Sequence, residues 1–411
     1  MNKNYRSKVV CYSFLWLTAA HFIYDVRTVG VGKQQSKPII RPSSTYSKTL
    51  LKSQPAKVTP TKVSLAELQV AKVKGAKSLA SGYFLDEKNG WVAERKLLFR
   101  TSDGGRNWQK LNIKVPAEAS LSSVFFINDK LGWVSIVKEF HVTPFGQEYS
   151  SSLLLTSDGG NTWTQKAAYP DGVEITCLKF LNEREGIATG NRIVRNNPSY
   201  PEMFVISTKD GGDRWTDISQ KVNTAISDEY GKANDFGADV SWESPGHLLL
   251  LTPLGRIVSS SDDGGTWLTL TQLTGGYGYQ TSYRKIHVSE RGAIRVIGGS
   301  TGDEGAWGDL TLQNEENTWR SYELLRVPIL DAISVSEDEI IVCGGEARNG
   351  IRNRLGPFVG IILRSSDAGK TWSVIYKSAI TESFFSLTKV DEYRYYALSD
   401  AGTLVRFTLK H

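Results

Sequence analysis

One motif recurs at a nearly constant interval along the chain. It reads Ser/Thr-x-Asp-x-Gly-x-Thr-Trp and begins at Thr101, Thr156, Thr208, Ser260 and Ser365. A sixth, eroded copy ends at Trp319, and with it the six tryptophans are spaced 55, 52, 52, 52 and 53 residues apart. A period this constant indicates repeated supersecondary units.

The residue types of the motif predict a tight turn between two strands. Asp and Ser/Thr side chains accept hydrogen bonds from the backbone of their own turn, and glycine supplies positive φ. The tryptophan is the first large apolar side chain of the outgoing strand and packs against the core. We therefore assign structural roles to Asp103, Trp108, Asp158, Trp163, Asp210, Trp215, Asp262, Trp267, Asp367 and Trp372.

A second hairpin pattern lies upstream in three units, with glycine six residues after Phe84, Phe126 and Phe180. Two hairpins per unit make four strands, and four-stranded units of ~50 residues are typical of β-propeller blades. The fourth unit, for example, is interpreted as strands over 239–244, 247–252, 256–260 and 267–271. The sequence therefore predicts an all-β fold.

The number of blades depends on how the chain ends meet. Three strands are predicted after the last motif, over 384–390, 393–398 and 403–409, and they lack a fourth. A strand near residues 62–68 completes them and removes the exposed edges of an open array. We therefore expect a seven-bladed β-propeller of four-stranded blades, with six blades as the alternative.

The N-terminal segment has the pattern of an export signal. Lys3, Arg6 and Lys8 precede an apolar run over residues 9–24, typical of a signal peptide or of an uncleaved signal anchor. Residues 25–61 are predicted to form a flexible basic linker, and residues 62–411 the propeller domain. We expect an exported protein, periplasmic or secreted, with membrane contact only through this segment if it is retained.

Charge and cysteine content exclude several kinds of site. Residues 1–62 carry a net charge of +10 and residues 63–411 a net charge of −4, so we expect no nucleic-acid binding. Cys177 and Cys343 lie in strand-like contexts in non-adjacent units and are interpreted as buried free thiols. Without a Cys/His cluster or a nucleotide-binding loop, we expect no metal and no cofactor.

The motif is that of the Asp-box, or BNR, repeat of sialidases and related propellers. The motif and the Phe–Gly hairpins together resemble those of the photosystem II stability/assembly factor family and its non-photosynthetic relatives. This resemblance covers about residues 75–409. The Phe/Tyr-Arg-Ile-Pro start of sialidases is absent, and the chain is too short for the paired propellers of Asp-box xyloglucanases. The resemblance implies a propeller, whereas the turn itself is shared by glycosidases and assembly factors.

The candidate binding site lies on one face of the predicted ring. Opposite the motif turns, the connections at 94–96 and 253–255 are short, whereas those over 138–151, 190–203, 300–309 and 346–357 are long. Insertions on one face of a repeat protein mark its binding face, and Tyr, Trp and Arg dominate interface hot spots. The partner-binding candidates are Tyr149, Arg192, Arg195, Tyr200, Tyr230, Tyr277, Trp307, Arg348, Arg352 and Arg354.

Two classes of function compete. The first is a non-catalytic propeller that binds another protein with an acidic surface, as an assembly factor, a scaffold or an inhibitor. The alternative is a glycan-binding or glycan-hydrolysing propeller, for which Asp303, Glu304 and Asp309 surround Trp307 in one connection. Because these acids lie on a glycine-rich connection, we interpret them as a solvated acidic tip and assign no catalytic residue.

Overall fold

Seven antiparallel sheets form the blades of a β-propeller, with the first strand of each blade innermost. The computed structural model describes residues 48–50, 54–143, 146–170, 172–194, 197–227, 237, 239–274, 282–288, 293–300, 307–313, 319–336, 338–347 and 357–410. All of them belong to one compact unit, residues 47–411. The predicted seven-bladed fold is confirmed.

The strands follow the repeat. Four N-terminal strands come first, namely β1 (Lys48–Leu50), β2 (Gln54–Pro55), β3 (Lys57–Lys62) and β4 (Leu65–Lys72). Blades 1 and 2 contain β5 (Ser81–Phe84), β6 (Gly90–Ala93), β7 (Leu98–Thr101), β8 (Gln109–Lys110), β9 (Ala119–Phe126), β10 (Gly132–Thr143), β11 (Gly146–Thr156) and β12 (Thr164–Tyr169). Blades 3 and 4 contain β13 (Val173–Phe180), β14 (Gly186–Val194), β15 (Asn197–Thr208), β16 (Thr216–Asp217), β17 (Asp239–Ser244), β18 (His247–Leu251), β19 (Arg256–Ser260) and β20 (Leu268–Thr274).

The remaining blades repeat the same order. Blades 5 and 6 contain β21 (Ser282–Val288), β22 (Ile294–Ser300), β23 (Trp307–Gln313), β24 (Trp319–Leu325), β25 (Ile329–Ser334), β26 (Ile340–Ala347), β27 (Phe358–Ser365) and β28 (Thr371–Thr381). Blade 7 contains β29 (Phe384–Lys389), β30 (Arg394–Ser399), β31 (Thr403–Leu409) and, as its outer strand, β4. The strands predicted for the fourth unit and for the C-terminal part therefore form with small shifts at their ends.

The N-terminal strands close the ring and continue along its rim. β4 pairs antiparallel with β31, from Thr403↔Lys72 to Leu409↔Leu65, which confirms the predicted closing strand with a shift of a few residues. Upstream, β1, β2 and β3 each add a parallel fifth strand to the outer edge of blades 4, 5 and 6. We call β1 to β3 the strap.

The strap changes the predicted domain boundary. Residues 25–61 were expected to be a flexible linker because Lys, Ser, Thr and Pro predominate there. The described part of that range instead pairs with the propeller, for example at Lys57↔Thr371 and Gln54↔Tyr322. Backbone pairing needs no apolar side chains, so composition alone does not reveal it. The predicted start at residue 62 is therefore too late.

Each blade buries apolar side chains against its neighbours. Blades 2 and 3 share a cluster with Trp133 and Phe204, and blades 3 and 4 share one with Trp242 and Trp267. A single helix in the described part, α1 (Ser219–Ile226), packs Val222 and Ile226 into the second cluster. No helix among the described residues combines the length and the apolar character needed to cross a membrane.

The turn motif forms the hydrogen bonds expected from its sequence. In blade 2 the Thr156 hydroxyl accepts from the Gly160 N–H at 2.9 Å and donates to Asp158 at 2.8 Å. Asp158 also accepts from the hydroxyl of Thr162 at 2.6 Å and from its N–H at 2.9 Å, and these bonds lower the pKa of Asp158 to about 2. Equivalent bonds to the motif Ser/Thr and Asp recur in blades 1, 3, 4 and 6.

The motif turns share one face of the ring with the turns between first and second strands. In blade 2 the Gly159 N–H donates to the Lys130 carbonyl at 2.8 Å, and in blade 3 Gly211 donates to Arg184 at 2.8 Å. We call this face the first face. The second face carries the turns between second and third strands and the connections between blades.

The Phe–Gly hairpins stack one blade on the next. Phe126 pairs with Gly132, and a Cβ at Gly132 would lie 2.3 Å from the Phe126 ring, so only glycine leaves room for it. Trp91 of blade 1 then stacks on Phe126, with ring centroids 4.0 Å apart. Trp133 of blade 2 stacks on Phe180 of blade 3 in the same way, at 3.5 Å. The spacing of six residues thus encodes contacts between blades.

Polar side chains join the innermost strands of neighbouring blades. Asp239 of blade 4 accepts from the Ile286 N–H at 3.1 Å, and Asp331 of blade 6 accepts from the Leu387 N–H at 2.8 Å. Both carboxylates raise the pKa of Lys285, and Asp239 is the main cause. Because these bonds satisfy backbone groups at the inner edges, we interpret this charged set as structural.

The two predicted free thiols are confirmed. Cys177 and Cys343 are both free and buried, with 8% and 1% of their surface exposed. Burial raises the pKa of Cys177 to about 11, so this thiol stays protonated at neutral pH.

The motif tryptophans allow a matched stability test. Trp372 is fully buried and donates from Nε1 to the Gly369 carbonyl at 2.9 Å, whereas Trp108 is partly exposed and its Nε1 has no partner. We expect Trp372→Ala to lower the free energy of unfolding by about 3 to 5 kcal/mol through the cavity it leaves, and Trp108→Ala to lower it by less. Urea unfolding measures both, and equal losses would show that burial does not set the contribution of this motif position.

Candidate functional site

The second face carries two projecting β-ribbons. In blade 2 the last pair between β10 and the inner strand β9 is Lys138↔Ala119, but β10 and β11 continue to pair as far as Thr143↔Gly146. In blade 3, β14 and β15 continue past Val173↔Arg192 to Val194↔Asn197. The long connections predicted over 138–151 and 190–203 are therefore mostly strand.

Other connections on this face are short, as predicted. The Glu94 N–H donates to the Leu97 carbonyl at 2.8 Å in blade 1, and Thr252 donates to Arg256 at 2.9 Å in blade 4. The described part of the second face is therefore uneven, with raised ribbons on blades 2 and 3 between short turns on blades 1 and 4.

A buried acidic group lies at the base of the two ribbons. Glu174 on β13 is 7% exposed and accepts from the Asn191 amide at 2.9 Å. Burial, which outweighs this hydrogen bond, raises the pKa of Glu174 to about 7, and the nearby Glu139 raises it further. Glu174 thus gains a proton near neutral pH, unlike an exposed carboxylate.

Tyr149 does not lie where the sequence analysis placed it. It was expected on an exposed loop as a partner-binding residue, but it pairs with Glu139 in the blade 2 ribbon and only 3% of it is exposed. Burial raises the pKa of its hydroxyl, and the charge of Glu174 adds to the effect. Tyr149 packs inside the base of the ribbon, so in this conformation its side chain is not open to a partner.

Arg192 is the predicted binding residue whose surroundings are best defined. Its guanidinium pairs with Asp217, Nη2 to Oδ2, at 2.5 Å and lies over the Phe204 ring at 4.5 Å. Tyr169 of blade 2 meets the same ring edge to face at 5.1 Å. About a third of the Arg192 side chain stays exposed, 34%, so a cation lined by aromatic rings faces solvent between blades 2 and 3.

Arg192 also sets the ionisation of its partner. Burial raises the pKa of Asp217, but hydrogen bonds from Arg192 and Ser219 outweigh this effect, and the pKa falls below its usual value. The pair is therefore charged over the physiological pH range. We call Tyr169, Arg192, Phe204 and Asp217 the Arg192 cleft.

The structure gives less information on the surroundings of the other predicted binding residues. Tyr200 and Trp307 lie in β15 and β23, at the ends of these strands near the second face. The rest lie outside the described residues, namely Arg195, Tyr230, Tyr277, Arg348, Arg352 and Arg354. The structure thus brings Tyr149 and Arg192 to one region, the first buried and the second partly exposed.

Asp309 differs from the solvated acid that was predicted. It is 3% exposed and accepts from the Ser321 hydroxyl at 2.7 Å and the Thr311 hydroxyl at 3.0 Å. Burial raises its pKa to about 6. The prediction was wrong because Asp309 lies within β23 and not on the connection before it, where Asp303 and Glu304 fall outside the described residues.

Sequence reasoning missed the carboxylates of the second face whose pKa values are raised. Glu174 interrupts the apolar run of β13, and Asp400 in the turn between β30 and β31 has a pKa that burial raises to about 6. An acidic residue inside an apolar strand is a detectable signal, because such residues are rarely buried without a partner. In the described residues no group of three or more His, Cys, Asp or Glu side chains could hold a metal ion.

Known structures share this fold. YCF48 bound to a D1 peptide matches with a TM-score of 0.58 and 17% identity over 86% of this chain and 100% of that one. YCF48 from Cyanidioschyzon merolae matches at 0.57 and 17% over 84% and 99%, and the GH74 xyloglucanase from Xanthomonas campestris at 0.55 and 12% over 84% and 54%. No family model and no curated protein matches the sequence. Identities this low show a shared fold, as the resemblance predicted.

Glu174 predicts how stability varies with pH. Its pKa is about 7 in the folded protein against 4.5 in an exposed glutamate, so its contribution is fully present below about pH 4.5 and is lost as the pH rises through 7. The expected loss is about 3 kcal/mol. Glu174→Gln, which stays neutral, should remove this decrease between pH 5 and pH 8 in urea unfolding, whereas the exposed Glu202→Gln should not. The same pH dependence in all three proteins would contradict the assignment.

Proposed function

We propose that this protein is an exported, non-catalytic propeller that binds a segment of another protein on its second face. Such binding serves an assembly factor, a scaffold or an inhibitor. The observation that carries the proposal is the Arg192 cleft, where a partly exposed guanidinium lies over Phe204 between the ribbons of blades 2 and 3. Arginine and aromatic side chains are enriched in interface hot spots.

The proposed partner presents acidic residues to the cleft. A guanidinium binds carboxylates through two parallel hydrogen bonds, and Arg192 already holds Asp217 in this chain. Arg195 follows three residues later, and Arg348, Arg352 and Arg354 belong to the connection between β26 and β27. The YCF48 structure with a D1 peptide supports the idea that a propeller of this shape binds a protein segment. The apolar run over residues 9–24 supports export.

A glycan-hydrolysing function has weaker support. A glycosidase needs two carboxylates about 5 to 9.5 Å apart in an open cleft. Glu174 and Asp309, whose pKa values are raised as a general acid requires, are 7% and 3% exposed and hydrogen-bond to neighbouring side chains. The similarity to a xyloglucanase is a similarity of fold and does not support hydrolysis by this chain.

The test is partner binding by charge-reversed variants of the full chain. The partner is first captured from the native cell envelope and identified, and its affinity is then measured at two salt concentrations. We expect Arg192→Glu to weaken binding at least about tenfold, or 1.4 kcal/mol, and to reduce its salt dependence. Joint reversal of Arg348, Arg352 and Arg354 tests the remainder of the proposed arginine set in the same assay.

Two controls separate binding from folding. Arg184→Glu reverses an exposed charge on the first face of the same blade and should leave the affinity unchanged. The double variant Arg192→Asp with Asp217→Arg keeps the ion pair but moves the positive charge to position 217. It should have the melting temperature of the unchanged protein but not its full affinity. Unchanged affinity in Arg192→Glu, with folding intact, would contradict binding at the cleft.

A further inference from the structure

The outer strand of blade 7 has an edge with which no described strand pairs. β4 spans eight residues, Leu65–Lys72, and stands last in its sheet, with one side paired to β31. Blades 4, 5 and 6 each carry a strand of the strap on the equivalent edge. Most of β4 is exposed, including 44% of Leu68 and 51% of Val70. Exposed apolar edge strands are sites where another strand can pair.

The two sides of β4 have different chemistry. Side chains alternate along a strand, so Leu68, Val70 and Lys72 share one side, whereas the register of β4 on β31 shifts at Ala66. Leu68 pairs with Phe407 and Val70 with Val405, both fully buried, so these two residues extend the apolar core of the blade out to solvent.

The charged residues of β4 are engaged within its own blade. The Lys72 ammonium donates to the Thr403 hydroxyl at 2.7 Å and to the Ala401 carbonyl at 3.1 Å. On the other side of the strand, Gln69 donates to the Glu67 carboxylate. The middle of the edge is therefore apolar on one side and carries an amide on the other.

We propose that β4 pairs with β4 of a second copy of this chain, antiparallel and centred on Gln69, to form a two-fold symmetric dimer. In this register Leu68 lies opposite Val70 of the other copy, twice by symmetry, and each aliphatic side chain covers the other. Glu67 lies opposite Ala71, and Lys72 falls near the register shift at Ala66, so no like charges meet. The strand is thus complementary to itself in both apolar pattern and charge.

Other symmetric registers fit less well. In an antiparallel pair, residues directly opposite each other point to the same side of the sheet. The two-fold axis must therefore pass between two copies of the same residue of β4. Centring on Glu67 brings two carboxylates together, and centring on Val70 places Leu68 opposite Lys72. Centring on Leu68 pairs Val70 with Ala66 and leaves part of it uncovered. Gln69 is the centre that covers both large aliphatic residues.

Cross-linking in the full chain tests the register. Cys11 is first replaced by serine so that it cannot react with the cross-linker. Cys177 and Cys343 can stay because both are buried. Gln69→Cys places two thiols opposite each other across the axis, and a short bis-maleimide should join two copies in high yield. Glu67→Cys is the matched control, because its thiols lie roughly 14 Å apart, four residue steps along the strands, and should not be joined.

Further measurements show whether the β4 edge pairs with a second copy of this chain or with a different protein. Leu68→Glu should abolish the cross-link of Gln69→Cys and weaken the dimer at least tenfold in sedimentation equilibrium, with an unchanged melting temperature because Leu68 is half exposed. The proposal is overturned if Gln69→Cys yields no dimer, if Glu67→Cys yields as much, or if the thiol at position 69 links mainly to a different protein.

Discussion

The pairing of β4 with β31 is the constraint on which the propeller depends. Each blade buries its apolar side chains against the two neighbouring blades, so no blade has a complete core of its own. Blade 7 shares one cluster with blade 6 and another with blade 1, where Phe84 and Val92 pack against Leu398 and Leu404. Its fourth strand comes from the other end of the described chain. Ring closure therefore joins sequence positions more than 300 residues apart, and the strap strengthens the rim beside the junction.

Local turn chemistry made most of this fold predictable. The motif needs a Ser/Thr hydroxyl, an Asp carboxylate and a glycine at fixed spacing, and its hydrogen bonds form within eight residues, as those of Thr156 to Trp163 do. The period of the motif then gives the blades and their order. The Phe–Gly spacing likewise reflects the packing of Phe126 over Gly132. Such features depend on neighbours in sequence, so they can be predicted without a structure.

Features that depend on distant pairing could not be predicted in this way. Gln54 pairs with Tyr322 through backbone groups, which leave no pattern in a polar, Pro-containing segment. The ribbon of β10 and β11 is a local hairpin, but residues 138–151 were interpreted as a loop, and Tyr149 was therefore expected on the surface. The structure thus leaves Arg192 partly exposed on the second face and buries Tyr149 beneath it, so the expected exposure of Tyr149 was wrong.

The described part of the second face combines the partly exposed guanidinium of Arg192 with buried acidic groups. Arg192 keeps about a third of its side chain in solvent and is charged, whereas Glu174 below it is buried and titrates near neutral pH. A partner that brings carboxylates to this face meets the guanidinium directly. The buried acids are held away from it by hydrogen bonds such as that from Asn191. This separation supports the proposal that the face binds an acidic segment.

The most direct test of ring closure compares two truncated chains. Removal of residues 1–64 deletes the strap and keeps β4, whereas removal of residues 1–72 also deletes β4 and leaves β31 as an open edge. Hydrogen exchange of the amides in β31, together with thermal melting, measures the difference. We expect the first chain to keep a cooperative transition and protected β31 amides, and the second to lose both. Equal protection and equal melting in the two chains would show that blade 7 is complete without its N-terminal strand and would contradict this account.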